Sequence, residues 1–272
     1  MQAELLRVRG GRHHLDRRRA QHRGGRGADL PLQHRGGRRD PVPLPAGLPV
    51  STVTPQVVYL HGFASSPASS KAEFLKRRLA AHGVAFHCPD LNQPDFSTLT
   101  ASRMIERTAA LVSTLPAGPV ALFGSSLGAF VALQAAEQAA AKAPQPITQL
   151  VLLAPALDFG RRPVGDLGAA GMARWRETGW WELTHYASGK PTRVHYELFR
   201  DARRYDSFAA RRPVPTLVLQ GRRDDVVDPD MVARYAAARP YVTLVMLDDD
   251  HQLGRSLERV WSESARFLGL PR

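Results

Sequence analysis

The sequence predicts an α/β protein built on an open, mostly parallel sheet of about six strands flanked by helices. Two observations carry this. From residue 56 onward, short β-branched runs alternate with segments of helical period, the order that yields parallel strands joined by helical crossovers. Of 272 residues, 43% are hydrophobic and 23% charged, an ordinary globular balance with enough chain to bury a full core. The same sequence excludes other classes. No window approaches ~18 uninterrupted apolar residues, so no transmembrane helix is expected. The single cysteine, Cys88, excludes an intramolecular disulfide framework and a cysteine-rich zinc site.

Each element follows from local signals. Gln56–His61 (QVVYLH) is the first strand. Ser70-Lys71-Ala72-Glu73 reads as a capping box opening a helix that ends near Gly83. Val84–Cys88 is a second strand, stopped by Pro89. Residues 100–115 carry a helical period, and Pro119–Phe123 (PVALF) is a third strand. An Ala-rich helix runs from about Leu127 to Lys142, and Gln149–Leu153 is a fourth strand. After a less regular stretch come Thr216–Gln220, a helix over 229–238, Val242–Leu247 and a closing helix over 254–268. In such sheets ligands bind beyond the carboxyl ends of the strands, so the loops after each run hold the candidates.

Residues 1–50 differ from the rest. They hold eleven Arg, four acids and eight Gly, no aromatic residue, and seven of the twelve excess positive charges. No apolar period is present to offset ordering entropy, so residues 1–52 are expected to be a disordered Arg/Gly/Pro-rich tail and linker, with the domain over 53–272. Pro41, Pro43, Pro45 and Pro49 stiffen the approach to the domain. No apolar stretch follows Arg17-Arg18-Arg19 and no Ser precedes Ser51, so neither a secretory signal nor a presequence is expected, and a cytoplasmic location follows by default. Arg outnumbers Lys 33 to 4 along the whole chain, a bias expected of GC-rich codons. The basic excess therefore reads as a solvated tail, or as translation from upstream of the true start. Its functional alternative is an arm for nucleic acid or anionic lipid.

The third strand leads into Gly124-Ser125-Ser126-Leu127-Gly128, a G-x-S-x-G sequence that opens a helix. A nucleophile at the tip of a sharp strand–turn–helix projects above the sheet, and glycines two residues to either side remove Cβ atoms that would clash. A serine needs a general base and a group to orient that base, in the chain order Ser, acid, His. The fifth strand ends in Gly221-Arg222-Arg223-Asp224-Asp225-Val226-Val227, and the sixth in Asp248-Asp249-Asp250-His251. Ser126, Asp224 and His251 are the candidate catalytic residues. Asp225 and Asp228 compete closely with Asp224, and Asp158 more remotely. The acids before His251 would favour its protonated form if they fold beside it. An oxyanion hole needs two backbone N–H groups, expected from Leu127 and from Phe63 in the His61-Gly62-Phe63 turn. His61 precedes the serine, the wrong order for a base here, and reads as support for its loop.

Leu60-His61-Gly62-Phe63-Ala64-Ser65-Ser66-Pro67, Ser70-Lys71 and Gly124-Ser125-Ser126-Leu127-Gly128, with the Asp224 and His251 segments, resemble the α/β-hydrolase superfamily and, within it, small bacterial esterases of the YqiA type. The resemblance covers roughly residues 55–270. It implies an α/β-hydrolase fold with a small cap insertion at about 157–212, longer than in that subfamily, and the basic tail has no counterpart there. It further implies carboxylic-ester hydrolysis through an acyl-enzyme, a small-molecule ester as partner, and no metal or organic cofactor. A peptidase or thioesterase would use the same triad. A hydrolase fold serving only as a binding module is disfavoured because every triad position is filled. The insertion holds Trp175, Trp180 and Trp181, three of the four tryptophans, which are the candidate pocket residues; some of its aromatics are expected to pack the cap instead. Arg161, Arg162, Arg174 and Arg176 read as solvated surface rather than an anion site.

Overall fold

The computed structural model describes residues 54–139, 144–164 and 167–271. The tail expected over 1–52 lies outside the described residues, apart from which the elements run as follows. The first half holds β1 (Gln56–Leu60), α1 (Ser70–Ala80), β2 (Phe86–His87), α2 (Ala101–Thr114), β3 (Val120–Ser125), α3 (Leu127–Gln138) and β4 (Ile147–Leu153). The second half holds α4 (Gly168–Thr178), β5 (Trp180–His185), β6 (Lys190–His195), α5 (Glu197–Ala202), β7 (Thr216–Gly221), α6 (Pro229–Ala237), β8 (Val242–Leu247) and α7 (Leu257–Leu268).

Six strands pair in the order β2-β1-β3-β4-β7-β8, and every pairing is parallel. All six residues of β3 and of β7 are buried, which is why these runs are continuously apolar rather than alternating. One face carries α1 and α7, whose Leu75, Leu79, Val260 and Phe267 pack on Val57, Phe123 and Leu219. The other carries α2, α3 and α6, with Met104, Phe130 and Val232 against Val58, Leu122 and Leu152. Strand order reverses between β1 and β3: the chain steps outward from β1 to β2, then returns to β3 on the other side of β1. Crevices form at such switch points.

Several boundaries differ from the sequence expectation. Ser69, not Ser70, caps α1; its Oγ accepts from the Ala72 N–H at 3.4 Å. The second strand is two residues rather than five, because the Val84 N–H is used to close the end of α1 on the Leu79 carbonyl. The helix expected to reach Lys142 ends at Gln138, and residues 140–143 lie outside the described residues. Leu253 takes a left-handed φ of 55°, so Gly254–Ser256 form a 3-10 turn and α7 starts only at Leu257.

The stretch expected to be irregular is organised. Between β4 and β7, α4 leads into the antiparallel hairpin β5–β6 and then α5. Strand alternation sorts the hairpin's faces: Trp181 and Leu183 pack on the main core, while Glu182 and Thr184 are exposed. Buried Asp201 of α5 accepts from the Ser102 N–H (2.6 Å) and Ser102 Oγ (2.8 Å), fixing the base of the cap to the start of α2. Among the described residues no helix is long and apolar enough to cross a membrane.

Candidate active site

Ser126 sits where β3 turns into α3, with φ 54° and ψ −115°. A residue with a Cβ held there costs of order 1–3 kcal/mol, so its surroundings must enforce it. They do so by hydrogen bonds. The Ser126 N–H donates to the Leu153 carbonyl of β4 at 2.9 Å, and its own carbonyl accepts from the N–H groups of Ala129 (3.0 Å) and Ala156 (3.2 Å). The flanking glycines serve close approach, since neither has a left-handed φ. A Cβ on Gly124 would lie 2.4 Å from the Gly128 carbonyl oxygen, and one on Gly128 would lie 2.1 Å from that of Leu60.

β7 and β8 are register partners at Gly221 and Leu247, so the loops leaving them run side by side. The Arg223 N–H donates to the Asp249 carbonyl at 3.0 Å, and a Cβ on Gly221 would lie 2.5 Å from the Asp250 carbonyl oxygen. This contact brings His251 onto Asp224, with Nδ1 2.9 Å from Oδ2. The other ring nitrogen, Nε2, lies 3.0 Å from Ser126 Oγ. The Asp224 side chain is fully enclosed, and that of His251 is 11% exposed. Burial pushes the Asp224 carboxyl up, but hydrogen bonds from His251, from the Val227 N–H and from Gln220 outweigh burial and hold it below the usual carboxylate range. Gln220 Nε2 donates to Oδ2 at 2.8 Å, and the Val226 and Val227 N–H groups donate to Oδ1 at 2.9 and 2.8 Å.

The competing acids are exposed or have other partners. Asp225 is exposed. Asp228 caps α6, accepting from the Asp230 N–H at 2.9 Å. Asp158 pairs with Arg162 at 2.9 Å. Asp248 pairs with Arg223, and Asp249 Oδ1 accepts from the Asp250 N–H at 2.9 Å, while its buried Oδ2 has no hydrogen-bond partner among the described residues. Of the four arginines read as surface, Arg161 and Arg162 make ion pairs, and Arg174 and Arg176 are exposed. Gln220 escaped the sequence reading, although a glutamine inside an otherwise apolar strand four residues before Asp224 was a legible signal.

The loop after β1 stands beside the elbow because Leu60 and Gly124 are paired across β1 and β3. His61 is 2% exposed; its Nε2 accepts from the Leu91 N–H at 3.0 Å, which leaves Nδ1 to donate to the Gly62 carbonyl at 3.0 Å. Burial disfavours its imidazolium. His61 therefore braces this loop. Among the described residues, the N–H groups of Phe63 and Leu127 have no protein acceptor. Gly62 keeps the approach tight: a Cβ there would lie 3.2 Å from the Ser125 carbonyl oxygen.

The three candidate pocket tryptophans separate. Trp181 stacks on Phe63, with ring centroids 5.5 Å apart and planes at 15°, and so reaches the loop beside Ser126. Trp175 is 1% exposed and sealed between Trp181, Tyr196 and Phe199, with its Nε1 donating to the Val194 carbonyl at 3.0 Å; it packs the cap rather than lining an open cleft. Trp180 lies on the other face of β5, with the Arg193 guanidinium 4.1 Å from its ring, because successive strand residues point to opposite sides. A cavity of about 310 Å³ opens beside Asp224, lined also by Asp158, Arg162 and Asp228, but not by Ser126 or Trp181. Among the described residues no group of three or more His, Cys, Asp or Glu is placed to hold a metal ion.

Sheet order, elbow and loop positions define an α/β-hydrolase fold, and solved structures agree. A protein of Agrobacterium vitis S4 proposed to be a hydrolase is 25% identical, with TM-score 0.70 over 81% of this chain and 90% of that one. Est1E from Butyrivibrio proteoclasticus, solved with ferulic acid bound, is 20% identical, with TM-score 0.67 over 83% and 92%. Mouse α/β hydrolase domain-containing protein 10 is 20% identical, with TM-score 0.65 over 82% and 92%. Residues 56–267 match the uncharacterised protein family UPF0227, and the chain belongs to that family. Among curated proteins none matches the chain.

Proposed function

We propose that this protein is a serine hydrolase cleaving carboxylic esters of small or medium acyl groups through an acyl-enzyme. The observation that carries the reading is one continuous relay: Ser126 Oγ to His251 Nε2 at 3.0 Å, and His251 Nδ1 to Asp224 Oδ2 at 2.9 Å. The imidazole takes the Ser126 proton as Oγ attacks the ester carbonyl, and Asp224 holds the tautomer that leaves Nε2 free to accept. The N–H groups of Phe63 and Leu127 donate to the carbonyl oxygen as it becomes an oxyanion. The imidazolium then protonates the departing alcohol, leaving Ser126 acylated. Water follows: His251 removes its proton, the oxygen attacks the acyl carbon, and the acid leaves as Ser126 is reprotonated. Trp181 and Phe63 offer an aromatic wall for an apolar acyl or alcohol group. The Pyrococcus furiosus esterase Pf2001, a structural neighbour, makes esters the first substrates to try.

The test is labelling with a fluorophosphonate probe, wild type against Ser126→Ala, followed by peptide mapping and a panel of p-nitrophenyl esters of increasing chain length. Labelling at Ser126 that disappears in the variant, with turnover falling by several orders of magnitude, is the expected result. A Ser126→Ala protein with full esterase activity sinks the reading.

A further inference from the structure

Lys71, in the first turn of α1, reaches the elbow from the face of the sheet opposite α3. Its Nζ donates to Ser125 Oγ at 3.0 Å, and Ser125 immediately precedes Ser126. The buried Tyr59 hydroxyl of β1 lies beside Ser125 and beside Ser69, the cap of α1. The start of α1, the end of β1 and the elbow thus share one polar cluster.

Local energetics run against a lysine at this position. The first turn of a helix is its positive end, where cations are disfavoured. Burial pushes the ammonium down to about 8, even though Asp249, Asp224 and Asp250 attract it. Its direct partner is a neutral hydroxyl, and the carboxylates act from further off. A chain that uses Arg 33 times and Lys four times places one of the four here. Residues held against local preference concentrate at functional sites.

We propose that Lys71 is a positioning residue for the nucleophile, holding the Ser125–Ser126 elbow from the α1 side and drawing the Asp224 and Asp249–His251 loops towards it. The proposal rests on the serine-hydrolase reading above. The carboxylates that act on the Lys71 charge, Asp249, Asp224 and Asp250, belong to the two loops that carry Asp224 and His251, and its one direct contact is with Ser125. A neutral amine can still hydrogen-bond Ser125, but it no longer attracts those loops. Burial keeps the Tyr59 hydroxyl neutral, and pushes the nearby Cys88 thiol up to about 12. Burial raises the Asp249 carboxyl, but the bond from the Asp250 N–H and the neighbouring polar groups of Ser256 and Arg255 hold it low, and Asp224 is also held low. As pH rises from neutrality through about 8, Lys71 is therefore the group of this cluster that changes charge.

The experiment compares the full-length protein with Lys71→Met, Lys71→Arg and Ser125→Ala, with Ser126→Ala as reference. Ester turnover, fluorophosphonate labelling rate and thermal melts are followed from about pH 6.5 to 9.5. Lys71→Met is expected to lower kcat about 10- to 100-fold with KM within about twofold, the pattern of a lost transition-state interaction. Wild-type kcat should fall as pH rises through about 8. Lys71→Arg, which stays charged, should keep most activity and lose that fall; Ser125→Ala should lose less and retain it. Equal kcat and equal pH profiles for wild type and Lys71→Met overturn the proposal. So does a Lys71→Arg profile that falls like wild type. If Lys71→Met does not fold, the absence of an alkaline fall in wild type overturns it. Retained turnover in Ser126→Ala would instead overturn the serine-hydrolase reading itself.

Discussion

The Trp181 ring of the cap stacks on the Phe63 ring of the loop after β1, centroids 5.5 Å apart and planes at 15°. The Ala187 N–H adds a backbone bond to the Ala64 carbonyl at 3.3 Å, so the hairpin grips that loop at two consecutive residues. Phe63 also supplies one candidate oxyanion donor. Aromatic pairs contribute about 0.5–1.5 kcal/mol beyond their burial, enough to bias the position of a short loop. Trp181→Ala is therefore expected to lower kcat/KM about tenfold, while Trp180→Ala, on the far face of the strand, stays within about twofold. Steady-state kinetics on a p-nitrophenyl ester decide it; equal effects of the two variants would show that the stack does not reach the chemistry.

Asp224→Asn preserves the shape of the site and removes the acceptor that fixes the His251 tautomer. The Val226 and Val227 N–H groups can still bond the amide oxygen, so the loop should hold. Turnover near neutral pH is expected to drop about 10³- to 10⁴-fold with the melting temperature little changed. A loss below about tenfold would mean that another acid orients the imidazole.

Gly128→Ala sets two effects against each other. Alanine gains about 1 kcal/mol of helix propensity. The new Cβ would lie 2.1 Å from the Leu60 carbonyl oxygen and 2.6 Å from that of His61, both backbone atoms. Overpacking costs about 1–3 kcal/mol or more and should win, pushing α3 away from β1. The melting temperature should fall by several degrees and fluorophosphonate labelling should slow sharply. An unchanged melt with normal labelling would contradict the packing of the elbow against β1.

Lys71 also leaves a signature in stability. Its folded-state value of about 8 lies below the ordinary 10.5, so from pH 8 to 10.5 the unfolded chain binds more protons and stability from this group rises with pH. Cys88 acts oppositely: raised from 9.0 to about 12, it contributes stability that declines once pH passes 9. Between about pH 8 and 9 the lysine effect stands clear of the thiol. Denaturant unfolding of wild type and Lys71→Met should show the variant's relative advantage shrinking across that window. A constant difference would place the ammonium in water. In the same window wild-type activity is expected to fall, so stability and turnover move in opposite directions.

The elbow was legible because all its constraints lie within five residues: Gly124, Ser126 and Gly128 are spaced for a tight strand–turn–helix wherever the rest of the chain goes. The strand runs were legible too, since β3 and β7 are buried on both faces and so read as unbroken apolar segments. The choice of Asp224 over Asp225, Asp228 and Asp158 was not settled by spacing. It depends on the loops after β7 and β8 meeting closely enough that Gly221 could not carry a side chain. The hairpin was missed because its alternation, WWELTH against KPTRVH, mixes charge with aromatics, so its tryptophans read as a pocket.

Local spacing in the chain determined the strand–helix order, the turn at Ser126 and the loop positions of Asp224 and His251. Tertiary structure alone decided which groups touch. Ser126 meets His251 across 125 residues, and Lys71 meets Ser125 across 54. Sequence periodicity reports which face of an element is buried, but not what lies against it. That is set by sheet order, which brings the ends of β1 and β3 side by side and turns Trp181 inward, Trp180 outward.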